Sequence, residues 1–199
     1  MKEYYEDVWE ALPDQLELPD LEQRLALLRR ELEPGERVVD LGCGDGTFTA
    51  AIAQAGARPI GVDVAEAALA RARKQHEALD LRLAPLDGEL PLADGEVTLV
   101  WATEVIEHVA DTARWLGEIR RVLAPGGRLL LTTPNHPRAL ILFHGLDRYA
   151  EPLGDHLHLY TRNSLNATLR NLGFADVTVD AVNGPPLARR MLIAKATRP

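Results

Sequence analysis

The apolar positions of this chain change their period along its length. Leu16, Leu18, Leu21, Leu25, Leu28 and Leu32 recur at three- and four-residue steps from Leu18 onward, with acids and arginines between them. Such spacing lines one face of a helix, so residues 1–34 read as helical. Pro13, Pro19 and Pro34 punctuate the stretch, because proline breaks a helix interior. From Arg37 the pattern becomes short apolar runs alternating with helix-forming segments. The runs predict strands over 37–41, 58–63, 81–86, 97–102 and 128–133. Between them lie predicted helices over 47–55, 65–79 and 111–123. Gly56 ends the first of these helices, Pro125-Gly126-Gly127 turns the chain into the fifth strand, and Pro85 marks the third strand as an edge or an ending. Strands alternating with helices specify an α/β fold, a parallel sheet with helices on both faces.

The tail breaks the alternation. Thr161 or Asn163 can cap a helix that runs to Asn171 and closes at Gly173. Segments 176–182 and 187–196 then read as two strands joined through Asn183-Gly184-Pro185-Pro186, an antiparallel hairpin at the sheet edge. Residues 135–160 fit neither pattern. They hold four of the six histidines (His136, His144, His156, His158) together with Phe143, Tyr149 and Tyr160. A long connection inside a compact domain is usually functional. The division expected is an N-terminal helical arm over 1–36 and one domain over 37–199, with an insert at about 135–160.

Composition narrows the function classes. The 199 residues are 46% hydrophobic and 26% charged, an ordinary globular balance. No apolar stretch reaches the ~18 residues of a membrane span, and the polar, acidic start of the chain carries no secretory signal. A cytoplasmic protein is expected. The net charge of −8 argues against a general nucleic-acid groove or an anionic membrane surface. One cysteine, Cys43, permits neither an internal disulfide nor a multi-cysteine metal site.

The chemistry concentrates where the parallel strands end. Strand 37–41 runs into Gly42-Cys43-Gly44-Asp45-Gly46, whose glycines let a ligand lie against bare backbone. The dinucleotide fingerprint wants glycine at the sixth position of this loop, and Thr47 stands there. Asp40 and Asp45 would repel a pyrophosphate and suit a cationic ligand, an ammonium or a sulfonium. Asp63, 21 residues after Gly42 at the end of the second strand, can accept hydrogen bonds from a ribose diol. Read alone, it is equally a cap for the following helix. Asp87 can accept an adenine amine, with Leu86 and Leu90 about the ring; read alone, it is a turn aspartate in Asp87-Gly88.

Val38-Val39-Asp40-Leu41-Gly42-Cys43-Gly44-Asp45-Gly46 resembles motif I of the class I S-adenosylmethionine-dependent methyltransferases. Three further segments are similar in order and spacing. They are Gly61-Val62-Asp63-Val64, Leu90-Pro91-Leu92 through Val105-Ile106-Glu107-His108-Val109, and Arg121-Val122-Leu123-Ala124-Pro125-Gly126-Gly127-Arg128. The likeness is to the small-molecule methyltransferases of the ubiquinone-biosynthesis type and covers residues 37–134. The family often carries Phe-Asp at the start of the fourth strand, where this chain has Val97-Thr98. The resemblance implies a three-layer, Rossmann-like, seven-stranded sheet, mostly parallel with an antiparallel C-terminal edge hairpin. It implies S-adenosylmethionine as cofactor, held by Asp40, Gly42, Cys43, Gly44, Asp63, Val64, Leu86, Asp87, Gly88, Thr103 and Glu104. The activity implied is methyl transfer to an O, N or C atom of a small acceptor. The alternative is a regulatory protein that binds the cofactor without turnover.

His156 and His108 are the candidate bases, since imidazole titrates near neutrality. In an extended Asp155-His156-Leu157-His158 the two histidines share a face. Polar loop residues are the preferred reading there over a metal set, so no metal ligand is assigned. Tyr4, Tyr5 and Trp9 suggest a lid formed by the leading arm, or a helix packed on the flank. No nucleic-acid or membrane partner is expected, and the oligomeric state is a monomer or a homodimer.

Overall fold

A computed structural model describes residues 2–13, 18, 20–86, 88–137, 156–185 and 189–199. The predicted leucine at Leu16, Asp87, His144, Asp155 and the start of the last strand at Leu187 lie outside the described residues. In chain order the elements are α1 (Lys2–Ala11), α2 (Leu21–Glu31), β1 (Arg37–Leu41), α3 (Thr47–Gln54), β2 (Arg58–Asp63), α4 (Glu66–Gln75) and β3 (Asp80–Leu83). There follow β4 (Val97–Thr103), a 3-10 turn (Ile106–His108), α5 (Thr112–Val122), β5 (Leu123–Pro134), α6 (Arg162–Asn171), β6 (Ala175–Val182) and β7 (Met191–Thr197).

The seven strands form one sheet in the order β3-β2-β1-β4-β5-β7-β6. β3 through β5 pair in parallel, and β7 pairs antiparallel with both β5 and β6. The hairpin is therefore the antiparallel edge expected, with β7 inserted inward and β6 outermost. Alternation along each strand feeds two cores, because successive side chains point to opposite faces. Val38, Leu99, Trp101 and Leu130 pack with Leu25 and Leu28 of α2 and Phe48 and Ile52 of α3. Val39, Val100, Leu129 and Leu131 pack on the other face with Leu116 and Ile119 of α5 and Leu165 and Leu169 of α6.

Local chemistry sets most boundaries. Asp111 caps α5 by accepting the Arg114 N–H at 3.0 Å. Of the two candidate caps for α6, Thr161 is the one used; it exchanges hydrogen bonds with Ser164 in a capping box. Three boundaries differ from the sequence pattern. α4 stops at Gln75 instead of continuing toward Leu79, because Asp80 must already be extended to pair with Ile60. β3 stops at Leu83 instead of Leu86: Ala84 donates the last sheet bond, to the Asp63 carbonyl, and Pro85 has no N–H. β5 begins at Leu123, five residues early, because Pro125-Gly126-Gly127 forms an irregularity within the ladder, where the β4 register shifts between Val97 and Leu99. Gly126 and Gly127 stay bonded there to the backbone of Arg198.

The strand order reverses between β1 and β4. In open α/β sheets ligands bind in the crevice beyond the carboxyl ends of the strands at such a point. The Gly42 loop, Asp63 and Glu104 all lie there.

Candidate active site

A cavity of about 340 Å³ opens at this edge, within the range of small-molecule sites. Its floor includes Leu41, Gly42, Asp63 and Val64; Leu86, Gly88 and Leu90 stand at one end, and Glu104, Val105 and His108 at the other. Tyr5, Val8, Trp9 and Leu12 of α1 form its roof.

The loop after β1 is built for close approach. Gly42, Gly44 and Gly46 have φ of +76°, +54° and +82°, conformations that side chains resist. A Cβ on Gly42 would lie 2.4 Å from Val105 Cγ2, and one on Gly44 would lie 2.8 Å from the Trp9 ring. Asp63 ties this loop to the next strand end. Its Oδ2 accepts the Gly44 N–H at 2.9 Å and its Oδ1 the Ala65 N–H at 3.0 Å. Burial raises its pKa, and these backbone bonds pull against that rise.

Asp40 is placed differently. It lies wholly buried beneath the loop, outside the cavity lining, with the Thr49 hydroxyl donating to Oδ2 at 2.5 Å. Burial, with Asp63 and Asp45 adding repulsion, pushes its pKa to about 7. Cys43 is also buried, its sulfur beneath Gly61, and burial first and the Asp40 and Asp63 charges second drive its thiol far above the ordinary range. It is an inert filler. Asp45, grouped in the sequence with Asp40 as suiting a cation, accepts both the Thr47 N–H and its hydroxyl in the turn that leads into α3. The acidic character of the cavity edge thus rests on Asp63 and Glu104, with Asp111 and Glu118 farther along the wall.

Glu104 holds a left-handed backbone, φ +53°, the kind of strain that persists only where neighbours impose it. Its N–H donates to the Thr132 carbonyl, its Oε1 accepts the Thr132 hydroxyl at 2.9 Å, and Arg24 of α2 stands 3.5 Å from Oε2. Burial raises its pKa while Arg24 opposes the rise. Thr103 sits behind it, hydroxyl to hydroxyl with Thr132 at 2.7 Å.

At the far end, His108 faces the cavity, with Tyr5 edge-on at 6.3 Å between ring centroids. His156 does not line the cavity, yet its ring lies 4.7 Å from that of His108. What joins them is Glu107, whose carbonyl accepts the N–H groups of both Leu157 and His158. His158 turns away and meets the Val109 carbonyl at 2.9 Å. The Glu107 carboxylate is fully buried, accepts the Thr133 hydroxyl at 2.9 Å, and is pushed up to about 8 by burial and then by Glu104. Donor atoms of Glu107, His108 and His156 all lie within 4.8 Å of one another, the one group among the described residues with the composition to hold a metal.

The sequence pattern missed several of these groups. Arg24 and Glu107 were readable only as charges inside apolar runs. Arg114, Trp115 and Glu118 line the cavity from a face of α5 that otherwise reads as solvent or core. Glu6 was overlooked entirely: its carboxylate accepts the N–H groups of Glu66 and Ala67 at 2.9 and 2.8 Å, capping α4 from another helix.

Comparison with known proteins agrees with this geometry. Residues 9–179 match the family described as a methyltransferase domain. A probable S-adenosylmethionine-dependent methyltransferase of Mycolicibacterium smegmatis is 36% identical over 155 residues, 77% of this chain and 58% of that protein. A ubiquinone biosynthesis O-methyltransferase of Pseudomonas aeruginosa is 36% identical over 112 residues, 54% of this chain and 48% of that protein. The chain therefore spans about half the length of curated relatives it matches. Among solved structures, an S-adenosylmethionine-dependent methyltransferase of Mesorhizobium loti shares the fold with a TM-score of 0.69 at 24% identity, covering 87% of this chain and 96% of that one. No described helix is long and apolar enough to cross a membrane. With the switch-point cavity, the glycine loop and the family match in agreement, the chain belongs to the methyltransferase-domain family.

Proposed function

We propose that this protein transfers a methyl group from S-adenosylmethionine to an O, N or C atom of a small-molecule acceptor. The observation that carries the reading is the Asp63 carboxylate, locked to the Gly44 and Ala65 amides and exposed to the cavity where the strand order reverses. Its lone pairs suit a ribose diol. The left-handed glycine cradle and the carboxylate edge fit a cationic nucleoside, so the residues present suit this cofactor. When bound, it supplies a methyl group already activated by a sulfonium.

The protein's own work is to bind, align and exclude water. Gly42 and Gly44 accept the amino-acid portion, with the buried Asp40 carboxyl beneath them. Leu86, Gly88 and Leu90 enclose the base, and Asp87 stands in the same segment of the sequence. Val64 packs beside the ribose. Glu104, oriented by Thr103 and Thr132, faces the sulfonium region. Alignment of this kind is worth roughly 7–11 kcal/mol. α1 is the lid: Trp9 sits on the loop, Glu6 caps α4, and Arg71 of α4 donates to the backbone carbonyls of Leu12 and Pro13. α2 is a fixed flank, held by Leu25 and Leu28 in the core. The acceptor enters at the His108 end, where imidazole can take a proton from a hydroxyl.

Calorimetric titration with S-adenosylmethionine and its demethylated product tests the cofactor assignment. Transfer of labelled methyl groups into a metabolite extract tests turnover. Failure to bind either nucleoside, with retention of a nicotinamide nucleotide, overturns the reading.

A further inference from the structure

β6 is the outermost strand on one side of the sheet, and it pairs only with β7. Antiparallel neighbours share hydrogen bonds at alternate residues, so parity decides which backbone groups of β6 point outward. Arg198 exchanges backbone bonds with Gly127 and Gly126, and Asn135 donates to the Arg190 carbonyl. Even-numbered residues of β7 therefore face β5. Met191, Ile193 and Lys195 face β6, opposite Val182, Asp180 and Thr178. The N–H and C=O groups of Val177, Val179 and Ala181 turn away from the sheet. Left bare, such a row is a template for another strand.

All three of these outward carbonyls are taken by arginines from outside the strand. Arg170 donates to the Val177 carbonyl at 2.8 Å and Arg162 Nε to that of Val179 at 2.7 Å, both from α6. Arg189, just before β7, donates to the Ala181 carbonyl. Two of the guanidiniums are themselves held. Arg170 Nε donates to the Asn166 side chain one turn earlier at 3.0 Å, and Arg162 stands 3.8 Å from Asp180. β6 also starts on a bulge: Asp176 is left-handed at φ +48°, and the register with β7 shifts between Ala175 and Thr178. A bulge twists an edge away from a flat partner.

We propose that Arg162, Arg170 and Arg189 form a seal that closes the outer edge of the sheet to a strand from a second copy of this chain. The strand needs one. Val177 and Val179 point into the core against α6 while Thr178 and Asp180 face solvent, an alternation with high strand propensity. An antiparallel seam between two copies of β6, centred on Val179, would require the three carbonyls that the arginines hold. It would also bring two rows of guanidiniums together, where like charges repel. The seal lies three strands from β4, and none of its arginines lines the cavity. It governs assembly, independently of the cofactor and acceptor.

The test compares the full-length wild type with a triple variant, Arg162→Ala with Arg170→Ala and Arg189→Ala. Sedimentation velocity reads self-association, and amide hydrogen exchange reads the outward N–H groups of Val179 and Ala181. We expect both amides to exchange fast in the wild type. In the triple variant self-association tightens by about 100-fold or more, and both amides slow as a second strand covers them. Circular dichroism and affinity for S-adenosylhomocysteine stay at wild-type values. Adding Ala181→Pro removes an outward N–H without touching the ladder to β7, and returns the triple variant to wild-type sedimentation; association through general destabilisation would not be reversed in this way. If the triple variant does not fold, Arg162→Ala with Arg189→Ala leaves Arg170 in place and shows the same change at about 10-fold. Amides that stay fast in wild type and variant alike, or that are already slow in the wild type, overturn the seal. The exchange measurement needs no nucleoside, so its outcome stands apart from that of the methyltransferase reading.

Discussion

The two ends of the cavity are built on different principles. The proposed cofactor end is local. Gly42, Gly44, Asp63 and Ala65 sit at the ends of two neighbouring strands, and backbone amides do most of the work. The proposed acceptor end is assembled from distant pieces: a 3-10 turn after β4, a segment that begins 48 residues beyond His108, and the roof of α1. Side chains dominate there. A site made from adjacent strand ends is rigid and suits an invariant ligand. A site made from loops and an arm can be rebuilt around different acceptors without disturbing the sheet.

Substitutions can break this contrast. The largest effect is expected from Gly44→Val, whose side chain has neither an allowed backbone conformation nor room beside Trp9. Nucleoside binding should vanish in calorimetry while far-ultraviolet circular dichroism is retained; normal binding would refute the role of the loop. Next is the pH dependence of stability at Asp40. Its folded pKa, about 7, lies above the ordinary 3.8, so the native state holds a proton that the unfolded chain has released between those values. Stability should therefore fall as pH rises from 4 to 7, by at most about 4 kcal/mol, and level off above. Chemical denaturation across that range should show the slope, and Asp40→Asn should remove it.

At the acceptor end, His108→Ala should lower turnover about 100-fold and leave S-adenosylhomocysteine affinity unchanged, by paired kinetic and calorimetric measurement. Asp63→Ala should do the reverse of that pattern: cofactor affinity falls by about 1–3 kcal/mol, the worth of a charge-assisted hydrogen bond. Equal affinity would remove the ribose role. Smallest is Glu6→Ala, which strips the cap that α1 gives to α4. A cap is worth about 1 kcal/mol, so the product nucleoside should dissociate a few-fold faster in stopped-flow measurement, with thermal stability lowered slightly.

The same contrast explains how far the residues could be read unaided. β1, β2, the glycine loop and the antiparallel hairpin were legible because apolar runs and left-handed glycines are local signals. Asp63 was legible from its place at a strand end. A carboxylate in a loop does not announce whether it turns to a ligand or to the next helix; the Thr47 amide donates to Asp45. The end of α4 was missed because strand pairing, not helix propensity, stops the helix.

Glycine spacing, apolar periodicity and the positions of strand-end acids dictate the sheet, the switch point and the cofactor end, since each acts over a few bonds of backbone. Folding in three dimensions selects what those signals cannot. It buries Asp40 below the loop, sets Arg24 opposite Glu104 from a separate helix, carries Glu6 to the start of α4, and brings His156 against His108 and Glu107. These contacts join residues 48 to 80 positions apart, or bury a charge without a local cue, and only close packing of the whole chain determines them.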